Sequence, residues 1–145
     1  MSFDLHPPKP ELFFTRNDPN DPRLGDLVRP VDGGLEKMPG EIRIALVGFP
    51  EDRGIAANGG KKGAAGGPEA IRRSFYRLTP GFGRDFYGLP MADLGDVPPG
   101  KTLEESHDRL TQTIRRILER DIFPIVLGGG HDLTFPGLVG MVEAL

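Results

Sequence analysis

Ile42-Arg43-Ile44-Ala45-Leu46-Val47-Gly48-Phe49 is almost continuously apolar, and Pro50 ends it. A run of that length without polar alternation predicts a strand covered on both faces, as in a parallel sheet. From Pro68 onward, Ile71, Phe75 and Leu78 recur at spacings of four and three. They predict a helix with those three on one face and Arg72, Arg73 and Arg77 elsewhere around it, stopped by Thr79-Pro80-Gly81. Met91-Ala92-Asp93-Leu94-Gly95-Asp96 predicts a short strand. Thr102 then offers an N-cap and Glu105 completes a capping box. Behind them Leu103, His107, Leu110, Ile114 and Ile117 make one apolar helical stripe. A tight turn at Arg120-Asp121 leads to a further strand over 122–127. Residues 133–145 begin another helix, with Leu138, Val142 and Leu145 on one face. This alternation predicts right-handed β-α-β units and a parallel sheet.

Two stretches break the pattern. Residues 1–40 carry prolines at 7, 8, 10, 19, 22, 30 and 39, which excludes a long helix or a central strand. They read either as an extended Pro-rich arm over the surface, pinned where Leu12-Phe13-Phe14 finds an apolar groove, or as a partly disordered arm. The chain thus divides into that arm and an α/β unit over 41–145. Residues 51–67 form a long glycine-rich loop, and loops of this length inside a compact domain are usually functional.

Composition narrows the class. At 145 residues the chain fits one domain, and 37% hydrophobic residues with 21 Gly and 15 Pro favour irregular segments over a dense core. A net charge of −3 gives no reason to expect nucleic acid. Arginine and lysine pairs such as Lys61-Lys62, Arg72-Arg73 and Arg115-Arg116 read as solvated faces. The absence of cysteine excludes disulfides and thiolate metal sites and fits a reducing compartment. The N-terminus lacks the basic start and apolar core of a signal peptide. No apolar run approaches the ~20 residues that cross a bilayer. A cytoplasmic protein without a membrane partner is expected.

The candidate chemistry lies after the strand over 122–127. Gly128-Gly129-Gly130 lets the backbone turn and approach a neighbour, and His131 stands at the tip. Strand carboxyl ends are where open α/β sheets bind ligands, and histidine is a common metal ligand. His131 reads equally as a helix cap or a turn residue. Asp132 reads as an N-cap or an oxygen donor. One ligand does not make a metal site. His107, on an apolar stripe, reads as a half-buried core histidine, and His6 has no visible context. The 51–67 loop lacks a Walker A ending and a Gly-x-Gly-x-x-Gly after its strand. It reads as the rim of a pocket, with Asn58 and the backbone amides of Gly59 and Gly60 as substrate contacts.

Three segments carry a family resemblance: Val47-Gly48-Phe49-Pro50-Glu51-Asp52-Arg53-Gly54, Asn58-Gly59-Gly60-Lys61-Lys62-Gly63-Ala64 and Gly67-Pro68-Glu69-Ala70-Ile71-Arg72. With Gly-Gly-Gly-His, they resemble the first third of the ureohydrolase family of arginases, agmatinases and formimidoylglutamases. The Asn-Gly-Gly loop, Gly-Gly-Gly-His and the arm over 17–26 are most similar to the formimidoylglutamase branch. The resemblance implies a three-layer α/β/α fold with a parallel sheet, two Mn²⁺ ions at its carboxyl edge, and metal-assisted hydrolysis of a linear amidine. The substrate would be formimidoylglutamate, released as glutamate and formamide, or the guanidino group of an agmatinase substrate. His131 matches the family's first metal ligand, and Asp132 would stand behind it. Arginases and agmatinases have an acidic residue directly before this histidine, where this chain has Gly130.

The family's Asp-x-His-x-Asp and Asp-x-Asp motifs do not occur here. The chain therefore resembles the N-terminal half of a ureohydrolase, supplying at most one metal ligand and no catalytic residue of its own. Alone it is expected to bind metal weakly or not at all and to be inactive. The missing C-terminal half, as a second polypeptide, or self-association would cover its open sheet edge, and a homo-oligomer is expected. The rival reading is a non-catalytic partner subunit of a split enzyme.

Overall fold

The computed structural model describes residues 3–81 and 90–145, so the first two residues of the arm lie outside it. Its centre is a four-stranded sheet of β1 (Arg29–Pro30), β2 (Ile44–Gly48), β3 (Met91–Asp96) and β4 (Phe123–Leu127), all parallel, in the order β1-β3-β2-β4. The helices are α1 (Leu24–Leu27), α2 (Arg53–Ala57), α3 (Gly67–Phe75), α4 (Leu103–Leu118) and α5 (Thr134–Glu143).

Two cores flank the sheet. Leu110, Ile114 and Ile117 of α4 pack with Ala45, Val47, Ala92 and Leu94. On the other face Tyr76, just beyond α3, packs with Leu46, Met91, Leu12 and Leu24. Consecutive strands β2 and β3 are joined through α3, whereas β3 reaches β4 through α4 by passing β2. Right-handed crossovers in opposite directions put the two helices on opposite faces, which is the three-layer α/β/α arrangement.

The α4 stripe forms as its spacing dictates. Thr102 Oγ1 accepts from Glu105 N at 3.1 Å, while Glu105 reaches back to Lys101 N, one residue before the cap. The turn behind α4 is made by Asp121 in the left-handed region, φ 57°.

One expectation is corrected. In α3 the apolar face is not the buried one: Ile71 and Leu78 are exposed, and Arg72 is 2% exposed. Asp93, fully buried in β3, requires a cation, and Arg72 supplies it through Nε and NH2 at 2.8 and 2.9 Å. Arg72 NH1 also donates to Asp96 at 2.6 Å, and the Tyr76 hydroxyl donates to Asp93. Burial works against the Arg72 charge, yet the two carboxylates hold its pKa above the usual arginine value. Burial and the Asp93 charge push the Tyr76 phenol up as well.

In α5, Leu138 and Val142 share an apolar face as expected and it is exposed, while Leu145 lies two residues beyond the end of the helix. The helix meets α4 through Gly140, whose Cα faces Thr111 O and Ile114 closely enough to leave no room for a Cβ. The arm is pinned through Leu12, Phe13 and Phe14 as expected. It contributes β1 to the sheet and Leu12, Leu24 and Val28 to a core, and Phe13 stacks on Tyr76 at 4.5 Å. His6 bridges Asp96 by two backbone hydrogen bonds of 2.9 and 2.8 Å.

Candidate functional site

β2 and β4 are neighbours whose chains continue to helices on opposite faces of the sheet. The crevice outside their carboxyl ends is the topological switch point, where open α/β sheets take ligands. A cleft of 250 Å³ opens there, lined by Gly54, Ile55, Asn58, Gly60, His131 and Asp132.

One wall comes from residues 51–67. The loop expected there contains α2 and a 3₁₀ turn over Ala64–Gly66. A Schellman closure ends α2: Gly59, at φ 74°, donates to Ala56 O at 3.1 Å, and Gly60 donates to Ile55 O at 2.9 Å. This overturns the reading of the Gly59 and Gly60 amides as substrate contacts, because both are used in closing the helix. Gly60 still lines the cleft, and Gly59 does not. Asn58 lines it too, with Nδ2 donating to Gly54 O at 3.2 Å and no hydrogen bond to Oδ1 among the described residues. Asp52 Oδ2 ties the far end of the loop by accepting from Gly63 N at 2.7 Å.

The opposite wall is Gly128 to Asp132. None of its three glycines has a positive φ, so they do not serve the turn by left-handed geometry. They serve close approach: Gly129 lies against the Glu51 backbone, and Gly130 N donates to Glu51 O at 2.8 Å. Glu51 is itself buried and braced. Its carboxylate accepts from Arg53 Nε at 3.0 Å and from Ser106 Oγ at 2.9 Å, and Arg53 also donates to Gly100 O. The two walls and the start of α4 are thereby one unit.

The Arg53 hydrogen bonds hold the Glu51 carboxyl at about 2, below its ordinary 4.5, against the opposing effect of burial. A depressed carboxylate stabilises the fold fully above its unfolded pKa and loses that contribution as pH falls toward the folded value. Between pH 4.5 and about 2 the loss is on the order of 2 kcal/mol, discounted because the Arg53 side chain is 35% exposed. Urea unfolding at pH 6 and pH 3 is expected to show this slope, and Glu51→Gln is expected to flatten it.

His131 is exposed at the start of a 3₁₀ turn over His131–Leu133, and its ring makes no hydrogen bond among the described residues. Asp132 caps neither that turn nor α5, which removes its N-cap reading. Its Oδ2 accepts instead from His107 Nε2 of α4 at 2.7 Å, and its Oδ1 is buried without a hydrogen-bond partner. His107 is thus more than core filling, its ring being 21% exposed and turned to Asp132. The sequence carries no local sign of this, since the two residues are 25 positions apart and only the packing of α4 on β4 joins them.

An imidazole and a half-partnered carboxylate suit a divalent cation that takes nitrogen and oxygen ligands. Among the described residues no group of three or more His, Cys, Asp or Glu could hold a metal. The donors fit such an ion in kind and are incomplete in number. No helix among the described residues is long and apolar enough to cross a membrane.

Fold and cleft define a three-layer α/β protein with a cleft beside a histidine turn at the switch point of a parallel sheet. The chain belongs to the arginase family: residues 42–145 match the model of that family. It is 33% identical over 134 residues to a formimidoylglutamase of Streptococcus gordonii, covering 92% of this chain and 35% of that one. It is 37% identical over 142 residues to a formimidoylglutamase of Aeromonas hydrophila, covering 94% and 43%. The crystal structure of Trypanosoma cruzi formiminoglutamase with Mn²⁺ superimposes with a TM-score of 0.74 at 35% identity, covering 86% of this chain and 41% of that one. The chain thus spans well under half the length of the relatives it matches.

Proposed function

We propose that the chain is the N-terminal segment of a manganese-dependent formimidoylglutamase, hydrolysing formimidoylglutamate to glutamate and formamide in histidine degradation. The observation that carries this is the reach of the similarity. Identity to formimidoylglutamases extends over 92–94% of the chain, arm included, so the branch-specific arm and the His131 turn point the same way.

His131 is the metal ligand this segment supplies, Asp132 stands behind it, and Asn58 and Gly60 form the substrate rim. Bound as a pair, Mn²⁺ ions would supply an activated water and stabilise developing negative charge. The chain's own part is to present one imidazole, and it supplies no catalytic residue. Guanidino hydrolysis of the agmatinase type is the alternative reaction, and a non-catalytic partner subunit is the alternative role.

The partner follows from what is left open. Among the described residues β4 is an edge strand, and α5 exposes Phe135, Leu138 and Val142 around a groove of 480 Å³, with Met141 also exposed. An apolar face next to an unpaired edge is an association surface. A polypeptide carrying the remaining ligand motifs would cover it, with self-association as the competing outcome, and the assembly would act in the cytoplasm as a homo-oligomer.

The test is substrate discrimination by the assembled, Mn²⁺-loaded protein. Formamide from N-formimidoyl-L-glutamate with no urea from agmatine is the expected result, and urea release favours the guanidino reading.

A further inference from the structure

Gly130 has φ −72° and ψ 156°, extended backbone that any residue adopts. Gly54 lies within α2 and has no positive φ. Neither position needs glycine for its backbone, yet a Cβ at either would collide with the same group, the Asp132 carboxylate. At Gly54 its three atoms lie 2.6 to 2.8 Å from where that Cβ would stand, and at Gly130 Oδ1 overlaps the Cβ position. The fold clears space for this carboxylate from two separate segments, and His107 fixes it there by a 2.7 Å hydrogen bond.

Stability does not account for the arrangement. A carboxylate kept with one buried oxygen unpartnered carries a desolvation cost, and the group caps no helix. It does stand in the wall of the cleft that His131 shares.

We propose that His107 and Asp132 are a positioning pair for His131. Asp132 brings a negative charge to the cleft wall that His131 shares, and His107 holds it against the glycine notch. The charge favours a divalent cation on His131. This rests on the reading of His131 as a metal ligand. Loss of a charged group just outside a metal ligand typically changes metal affinity 10–100-fold.

The test uses the 145-residue chain with millimolar Mn²⁺, read by paramagnetic broadening of the assigned imidazole signals. Asp132→Asn keeps the shape of the side chain and removes its charge. It is expected to weaken broadening at His131 about tenfold, and His107→Phe to do the same with the fold intact by amide spectrum. The double variant Gly130→Asp/Asp132→Gly returns the charge at position 130 and is expected to restore the affinity. Wild-type broadening that is lost in His131→Ala but unchanged in Asp132→Asn overturns the positioning role and leaves His131 as a ligand. Absence of broadening at His131 in the wild-type chain overturns the positioning role in this segment, and its absence in the assembled protein as well overturns the ligand reading.

Discussion

Loaded with Mn²⁺, the isolated 145-residue chain is expected to release no formamide from N-formimidoyl-L-glutamate and no urea from agmatine. Hydrolysis by a metal pair needs both ions fixed in number and geometry. This chain brings one exposed imidazole and one carboxylate already bonded to His107, with no group of three or more donors among the described residues. Enzymes exceed the uncatalysed rate by roughly 10⁶-fold or more, so the expected loss is essentially complete. Co-expression with a polypeptide carrying Asp-x-His-x-Asp and Asp-x-Asp motifs is expected to restore formamide release. Leu138→Glu with Val142→Glu on the exposed face of α5 is expected to reduce the recovered activity at least about tenfold, because a carboxylate buried at the joint has no partner. Formamide release assays on the chain, the pair and the variant pair decide it, and activity from the isolated chain would overturn the reading of an incomplete site.

Arg72→Ala is expected to cost about 3–5 kcal/mol, the range seen when one partner of a buried ion pair is removed. Set against a total stability of roughly 5–15 kcal/mol, that takes the chain close to unfolding. The substitution leaves Asp93, 0% exposed, with its negative charge and no cation. Arg72→Lys is expected to recover little, since an ammonium cannot span both Asp93 oxygens, Asp96 and Gly95 O as the guanidinium does. Arg73→Ala, on the solvent side of the same helix, is expected to stay within about 0.5 kcal/mol. Thermal unfolding by circular dichroism checks the set. A fall of roughly 10–20 °C is expected for Arg72→Ala, and a midpoint within a few degrees of wild type would mean that Asp93 finds another partner.

Arg72 also shows where linear reading stops. Helical period alone puts Ile71, Phe75 and Leu78 inward, and Arg72-Arg73 looks like a solvated pair. What reverses this is Asp93, a residue of β3 21 positions away in sequence, whose buried charge outweighs the burial of two aliphatic side chains. The exposed apolar face of α5 has a related cause. Its small residue, Gly140, allows the close packing on α4, so the bulky residues face away from it.

The amino-acid sequence by itself determined the strands and helices after residue 41 other than α2, the parallel sheet, the capping at Thr102 and the histidine turn at 128–131. Each of these rests on local period, on turn chemistry or on a contiguous motif, and none needs a distant partner. The tertiary structure alone decided that the 51–67 loop folds into a capped helix, that the Gly59 and Gly60 amides are already bonded, and that His107 holds Asp132 in a notch between Gly54 and Gly130. Those outcomes depend on space and hydrogen bonds shared between segments tens of residues apart, which side-chain periodicity along one segment does not encode.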